Sequence, residues 1–128
     1  MEDARAAARA LVHQLVDAYN AKDLEGVAGL YAEDARYWSA LEDWRSGLDE
    51  VRAHLQTLFE TLPDEQMSIK ALVTDGDTAV VEFESRGTSP DGNPYTIEFT
   101  EVLELRDHKI ATAKVYLDPE EVERIEAS

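Results

Sequence analysis

Glu101 is the residue whose placement carries the most chemistry. It lies in Pro94–Arg106, PYTIEFTEVLELR. Alternation along a strand puts Ile97, Phe99, Glu101, Leu103 and Leu105 on one face and Thr96, Glu98, Thr100, Val102 and Glu104 on the other. The first face is apolar at every position but one. A carboxylate between Phe99 and Leu103 is costly to bury unless it is paired, hydrogen-bonded or protonated. Slipping the register by one residue would carry Glu101 to solvent and expose four large apolar side chains with it, so the inward placement stands. An enclosed carboxylate with a raised pKa can act as a general acid or base. Its other reading is a glutamate neutralised by a core Arg, Lys or Tyr, or one set in a dimer interface.

Asp118 is the second carboxylate of interest. With Pro119 and two glutamates behind it, it has the chemistry of a helix N-cap. Alternation turns Tyr116 and Asp118 away from Val115 and Leu117 unless the strand twists or bulges near its end. The histidines offer no metal-ligand spacing, since His13 and His54 fall on separate helices and His108 in a tight turn. The sequence implies neither metal nor cofactor.

The elements that position these residues follow from hydrophobic period. Residues 3–20 read as a helix with Ala4, Ala7, Ala8, Leu11, Val12, Leu15, Val16 and Tyr19 on one stripe. Asp23 can cap a second helix, Leu24 to Ala32. A short strand at Ala35–Ser39 comes next, and ALEDWRSG, residues 40–47, reads as a loop. A third helix runs from about Asp49 to Leu62, with Pro63 after its end. From Gln66 the period is two, with Met67, Ile69, Ala71 and Val73 inward up to the turn Asp75-Gly76-Asp77. Ala79, Val81 and Phe83 face inward on the next strand. Ser89-Pro90-Asp91-Gly92-Asn93 turns the chain into the Glu101 strand. A last strand, Lys109 to Leu117, precedes a C-terminal helix. The order is ααβαββββα, an α+β single domain over residues 1–128.

Composition bounds the function. The chain has 28 acidic against 12 basic residues, a formal net charge of -16, which repels phosphate backbones and anionic lipid and argues against nucleic-acid and membrane-surface partners. With no cysteine, disulfides and thiolate chemistry are excluded. The start, MEDARAAARALV, is not signal-like and no apolar run is long enough to span a bilayer, so a soluble cytoplasmic protein is expected.

LVDAYNAKDLEGVAGLYAEDARYWS, RSGLDEVRAHL and DHKIATAKVYLDPEEV together resemble the nuclear-transport-factor-2-like (NTF2-like) superfamily, and within it the SnoaL-like polyketide cyclase and ketosteroid isomerase branch. The resemblance implies a cone, helices packed on a curved mixed, mostly antiparallel sheet that encloses an apolar pocket. It also implies a homodimer formed through the backs of the sheets. Carried over residue by residue, the ketosteroid isomerase base falls on Ser39 and its helix-one tyrosine on Leu15. The aspartic acid that its apolar site keeps protonated falls on Glu101. Asp118 resembles the last-strand aspartate of the cyclases and one aspartate of the epoxide hydrolases, which would put it at the pocket mouth. The cyclase histidine and the hydrolase arginine have no counterpart; the strand VVEFESR offers Glu82 and Glu84 instead. The expected catalytic residues are Glu101 and Asp118. The expected pocket is lined by Tyr19, Tyr37, Trp38, Ser39, Trp44, Phe59, Phe83, Phe99, Leu103 and Tyr116. The function implied is a cofactor-free isomerase, cyclase or dehydratase acting on a hydrophobic carbonyl compound by carboxylate proton transfer. The alternative is a non-catalytic ligand-binding or dimerisation module.

Overall fold

In the computed structural model, which describes residues 2–127, the chain runs α1 (Glu2–Asn20), α2 (Leu24–Ala28), β1 (Tyr31–Ser39), β2 (Glu42–Ser46), α3 (Leu48–Thr61), β3 (Gln66–Asp75), β4 (Thr78–Thr88), β5 (Pro94–Arg106), β6 (Lys109–Tyr116) and α4 (Pro119–Glu126). The six strands form one sheet in the order β2-β1-β6-β5-β4-β3. Neighbours are antiparallel except β1 and β6, which run parallel because the chain returns to β1 only after crossing the whole meander. α1 packs on β3 and β4, and α3 packs on β1 and β2, so the helices cover one face of a mixed, mostly antiparallel sheet. This is the α+β architecture that the hydrophobic periods predict.

The stripe of α1 is buried through Ala8, Leu11, Val12, Leu15 and Tyr19, at helical spacing; the side chain of Ala4, assigned to the same stripe, lies outside the described residues. Asp23 caps α2, its Oδ1 accepting from the Gly26 N–H at 3.0 Å. The inner face of the sheet carries Ala79, Val81, Phe83, Leu103, Ile110 and Ala113, none of them with any exposed surface. Phe83 pairs across the strands with Phe99, the rings 5.3 Å apart.

Three boundaries differ from the sequence reading, each for a tertiary reason. α2 ends at Ala28 rather than Ala32, and β1 starts at Tyr31, because Tyr31 already pairs with Ile110 of β6 and the Ile110 N–H donates to the Leu30 carbonyl at 2.8 Å. Residues 42–46, expected as loop, form β2. This short edge strand is mostly exposed and shows no alternation for a period to reveal, yet it pairs with β1 at Arg36–Ser46 and Tyr37–Arg45. In β3 the register shifts between Ile69 and Ala71. A bulge there inverts the alternation beyond it, so Leu72 is half-buried while Val73, expected inward, is 64% exposed.

The packing makes one energetic expectation firm. Phe83→Ala would leave a cavity under Phe99, in the middle of a fully paired strand that cannot readily collapse around it. Its cost in urea denaturation is expected at about 3–5 kcal/mol, and a loss below about 1 kcal/mol would show that this face is not the core.

Candidate functional site

β5 sits between β4 and β6, and the register places Val81 and Val115 on either side of Glu101. Ile97, Glu101 and Leu103 are buried, so the alternation read from the sequence holds along the strand. The side chain of Glu101 lines a cavity of about 670 Å³ between the sheet and helices α1, α3 and α4. Glu101 is 7% exposed, and its carboxyl group has neither a hydrogen-bond partner nor an ion pair among the described residues. Burial, and secondarily the negative charge of Glu65, push it up to about 7. It is therefore poised to hold or release a proton near neutral pH.

Glu65, which shares this cavity, was not singled out from the sequence. It follows α3 in the short link to β3 and is 7% exposed. The Tyr19 hydroxyl donates to its Oε1 at 2.5 Å and the Ser85 hydroxyl to its Oε2 at 2.5 Å, so both oxygens are satisfied by neutral donors. Lys22 donates to the main-chain oxygen of Glu65 rather than to its carboxylate. The arrangement ties α1, the α3–β3 link and β4 together at one end of the cavity. Burial above all, and then Glu65, hold the Tyr19 hydroxyl well above the usual tyrosine range.

At the other end, Tyr37 packs against His54 with ring centroids 4.8 Å apart. Burial, reinforced by the Arg45 charge, pushes His54 down to about 4, so the imidazole is neutral at physiological pH. Arg45 is bound through Nη2 to Glu42, while its Nη1 is buried with no acceptor among the described residues. Tyr31, also missed in the sequence, completes the floor. Burial and the Glu101 charge raise its hydroxyl well above the ordinary tyrosine value.

Of the residues expected to line the pocket, Tyr19, Tyr37, Ser39 and Phe99 do so. The others do not, for reasons of strand phase and depth. Trp38 and Tyr116 point to the opposite face of the sheet, where their rings meet at 5.1 Å, because their neighbours Tyr37 and Val115 take the inward positions. Trp44 is likewise on the outer side of β2 from Arg45, and Arg36 stacks on its ring at 4.1 Å. Phe83 and Leu103 lie beneath the cavity wall, wholly enclosed by packing. Phe59 packs edge-on against Tyr19, 5.1 Å away, outside the lining. Asp118 is exposed and caps α4, its Oδ1 accepting from the Glu120 N–H at 3.0 Å. Glu82 is exposed, and Glu84 is held on the same outer side by Arg86 and Lys70.

A family model for the SnoaL-like domain matches residues 12–113, and the chain belongs to that family. An NTF2-like protein of unknown function from Burkholderia pseudomallei superposes with a TM-score of 0.87 at 22% identity, the match covering 95% of this chain and 98% of that one. TerC, co-crystallized with polyporic acid, gives a TM-score of 0.86 at 17% identity over 95% of this chain and 99% of TerC. A protein of ketosteroid isomerase-like fold from Catenulispora acidiphila, in complex with trimethylamine, gives 0.81 at 16% identity over 91% and 92%. At these identities the likeness is one of fold, and it bears out the NTF2-like architecture. No curated protein matches the sequence.

The raised pKa of Glu101 has a signed consequence for stability. In the unfolded chain Glu101 ionises near its ordinary value of 4.5, whereas in the folded protein it keeps its proton to about 7. Its stabilising contribution is complete below the unfolded value and is lost as pH rises through the folded one. Relative to the wild type, Glu101→Gln should therefore gain up to about 3 kcal/mol between about pH 4.5 and about pH 7. Urea denaturation of both proteins across that range measures it, and a pH-independent difference would remove the buried, unpaired carboxyl from the account.

Proposed function

We propose that this SnoaL-like protein binds a hydrophobic carbonyl compound in its apolar cavity and moves a proton on it through Glu101, without cofactor. The observation that carries this reading is the unpaired, enclosed Glu101 carboxyl with a pKa near 7. As a carboxylate it takes a proton from a carbon next to the carbonyl, and as the resulting acid it returns that proton to another atom of the same molecule. The net change is an isomerisation, or an aldol-type closure or dehydration where the substrate carries the second reacting group. We assign Asp118 no part in this step, since it is exposed at the cap of α4 and does not line the cavity. That the fold accommodates small organic ligands is supported by the polyporic acid and trimethylamine complexes of its structural neighbours.

Incubating the protein in deuterium oxide with a panel of ketones and polyketide-like compounds, and following label at the carbon next to the carbonyl, tests the proposal. The wild type should exchange label faster as pH rises through about 7, and Glu101→Gln should lose roughly 100-fold or more. Full activity in Glu101→Gln would end the proton-transfer reading. Binding without exchange would establish the alternative, a non-catalytic ligand-binding module.

The reading includes a homodimer through the outer face of the sheet. Val73, Val80 and Val102 pair across three adjacent strands there, and Tyr116 is 46% exposed beside Trp38. Sedimentation should give a dimer for the wild type and a monomer for Val80→Glu; a monomeric wild type would refute this part.

A further inference from the structure

We propose that the cavity is a site for small organic cations, an alkylammonium group held by Glu101 with Glu65 behind it and tyrosine rings around it. The inference concerns the charge of the ligand and does not depend on catalysis: a cavity that never turns over a substrate would hold the same ion.

Neither of the two enclosed carboxylates has a cation within ion-pair distance among the described residues. Glu101 is 7% exposed and faces the cavity with no donor and no cation among the described residues. Glu65 is equally buried and is met by two hydroxyls, with no positively charged group within ion-pair distance among the described residues. Lys22 comes close, but it is spent on the Glu65 main-chain oxygen and lies over the Tyr19 and Phe59 rings. A buried carboxylate without a partner is satisfied by a proton or by a cation. Of the two, burial and the Glu65 charge favour the proton on Glu101 unless a cation takes its place.

The surroundings select for positive charge. The opening carries the exposed glutamates Glu42, Glu50 and Glu126, against which Arg45 is the lone guanidinium among the described lining residues, its Nη2 bound to Glu42 and its buried Nη1 without an acceptor among the described residues. With Glu65 and Glu101 the lining has five carboxyl groups, enough to repel an acidic ligand. A net charge of -16 on the whole chain draws cations toward that opening. Inside, Tyr19, Tyr31, Tyr37, Tyr95 and Phe99 supply the aromatic faces that hold alkylammonium groups, which a small, strongly hydrated metal ion would not use. The groups facing Glu101 do not compete for the pH dependence. Tyr19 on α1 and Tyr31 and Tyr37 on β1 are held protonated, His54 on α3 is neutral, Arg45 on β2 keeps a constant positive charge bound through Nη2 to Glu42, and Glu65 holds both its oxygens on the Tyr19 and Ser85 hydroxyls.

Calorimetry on the full chain at low salt, with choline as the cationic probe and 3,3-dimethylbutan-1-ol as its neutral carbon isostere, tests the proposal. At about pH 8, choline is expected to bind at least about tenfold more tightly than the isostere. Its affinity should fall about tenfold by about pH 6, as protonation removes the Glu101 charge. Glu101→Gln should lose both the preference and the pH dependence. Equal binding of the two probes to the wild type, no choline binding at tens of millimolar, or an unchanged pH profile in Glu101→Gln would each overturn it. The wild-type comparison stands alone should that variant fold poorly. Equal binding of the probes together with loss of label exchange in Glu101→Gln would sink the cation site and leave the proton-transfer reading intact.

Discussion

Because side chains alternate at every residue, β5 can satisfy its neighbours in only one register: Ile97, Phe99 and Leu103 must stay on the helix-covered face, and Glu101 is carried there with them. Antiparallel pairing with β4 and β6 then fixes the carboxylate opposite Val81 and Val115, at the middle of the sheet. The site follows from this constraint. A carboxyl group that cannot leave the inner face is tolerable only beside a space, and the cavity beneath α1 and α3 is that space. Filling it with apolar side chains would raise the desolvation cost on Glu101 further; opening it to water would relax the pKa that burial maintains.

The second polar centre works in the opposite way. Glu65 is enclosed too, but its two oxygens are met by Tyr19 and Ser85 from separate elements. Each donor would otherwise be a buried hydroxyl in need of an acceptor, so the three groups satisfy one another and fasten α1 to β4 through the α3–β3 link. One carboxylate, with both oxygens hydrogen-bonded, is thus built into the frame, while the other faces the same cavity without a partner among the described residues.

Glu101 and the inner face of β4 and β5 were legible in the sequence because alternation is a local signal and one charged residue interrupts it. The long helices were legible for the same reason, through their stripes. What was not legible depended on partners far along the chain. Glu65 sits in LPDEQM with nothing to distinguish it from the many solvated acids, and only Tyr19 and Ser85, 46 and 20 residues away, make it a buried group. β2 has no buried face to impose a period, and the bulge at Ile69–Ala71 inverts a pattern that is regular on both sides of it. An aromatic residue's type does not place it in the pocket; its phase along the strand does. Trp38 and Tyr116 are one residue out of step with the cavity, and that suffices to put them behind the sheet.

The C-terminal helix has a further consequence. None of the residues of α4 is fully buried, although Val122 and Ile125 belong to the cavity wall. Detaching α4 therefore uncovers little apolar surface and breaks no strand pairing, which places it at the low end of the molecule's ladder of local opening free energies. Neither the strand pairings nor the Glu65 hydrogen bonds involve a residue of α4. Loosening of this helix would open one wall of the cavity without the global unfolding that breaking the sheet requires.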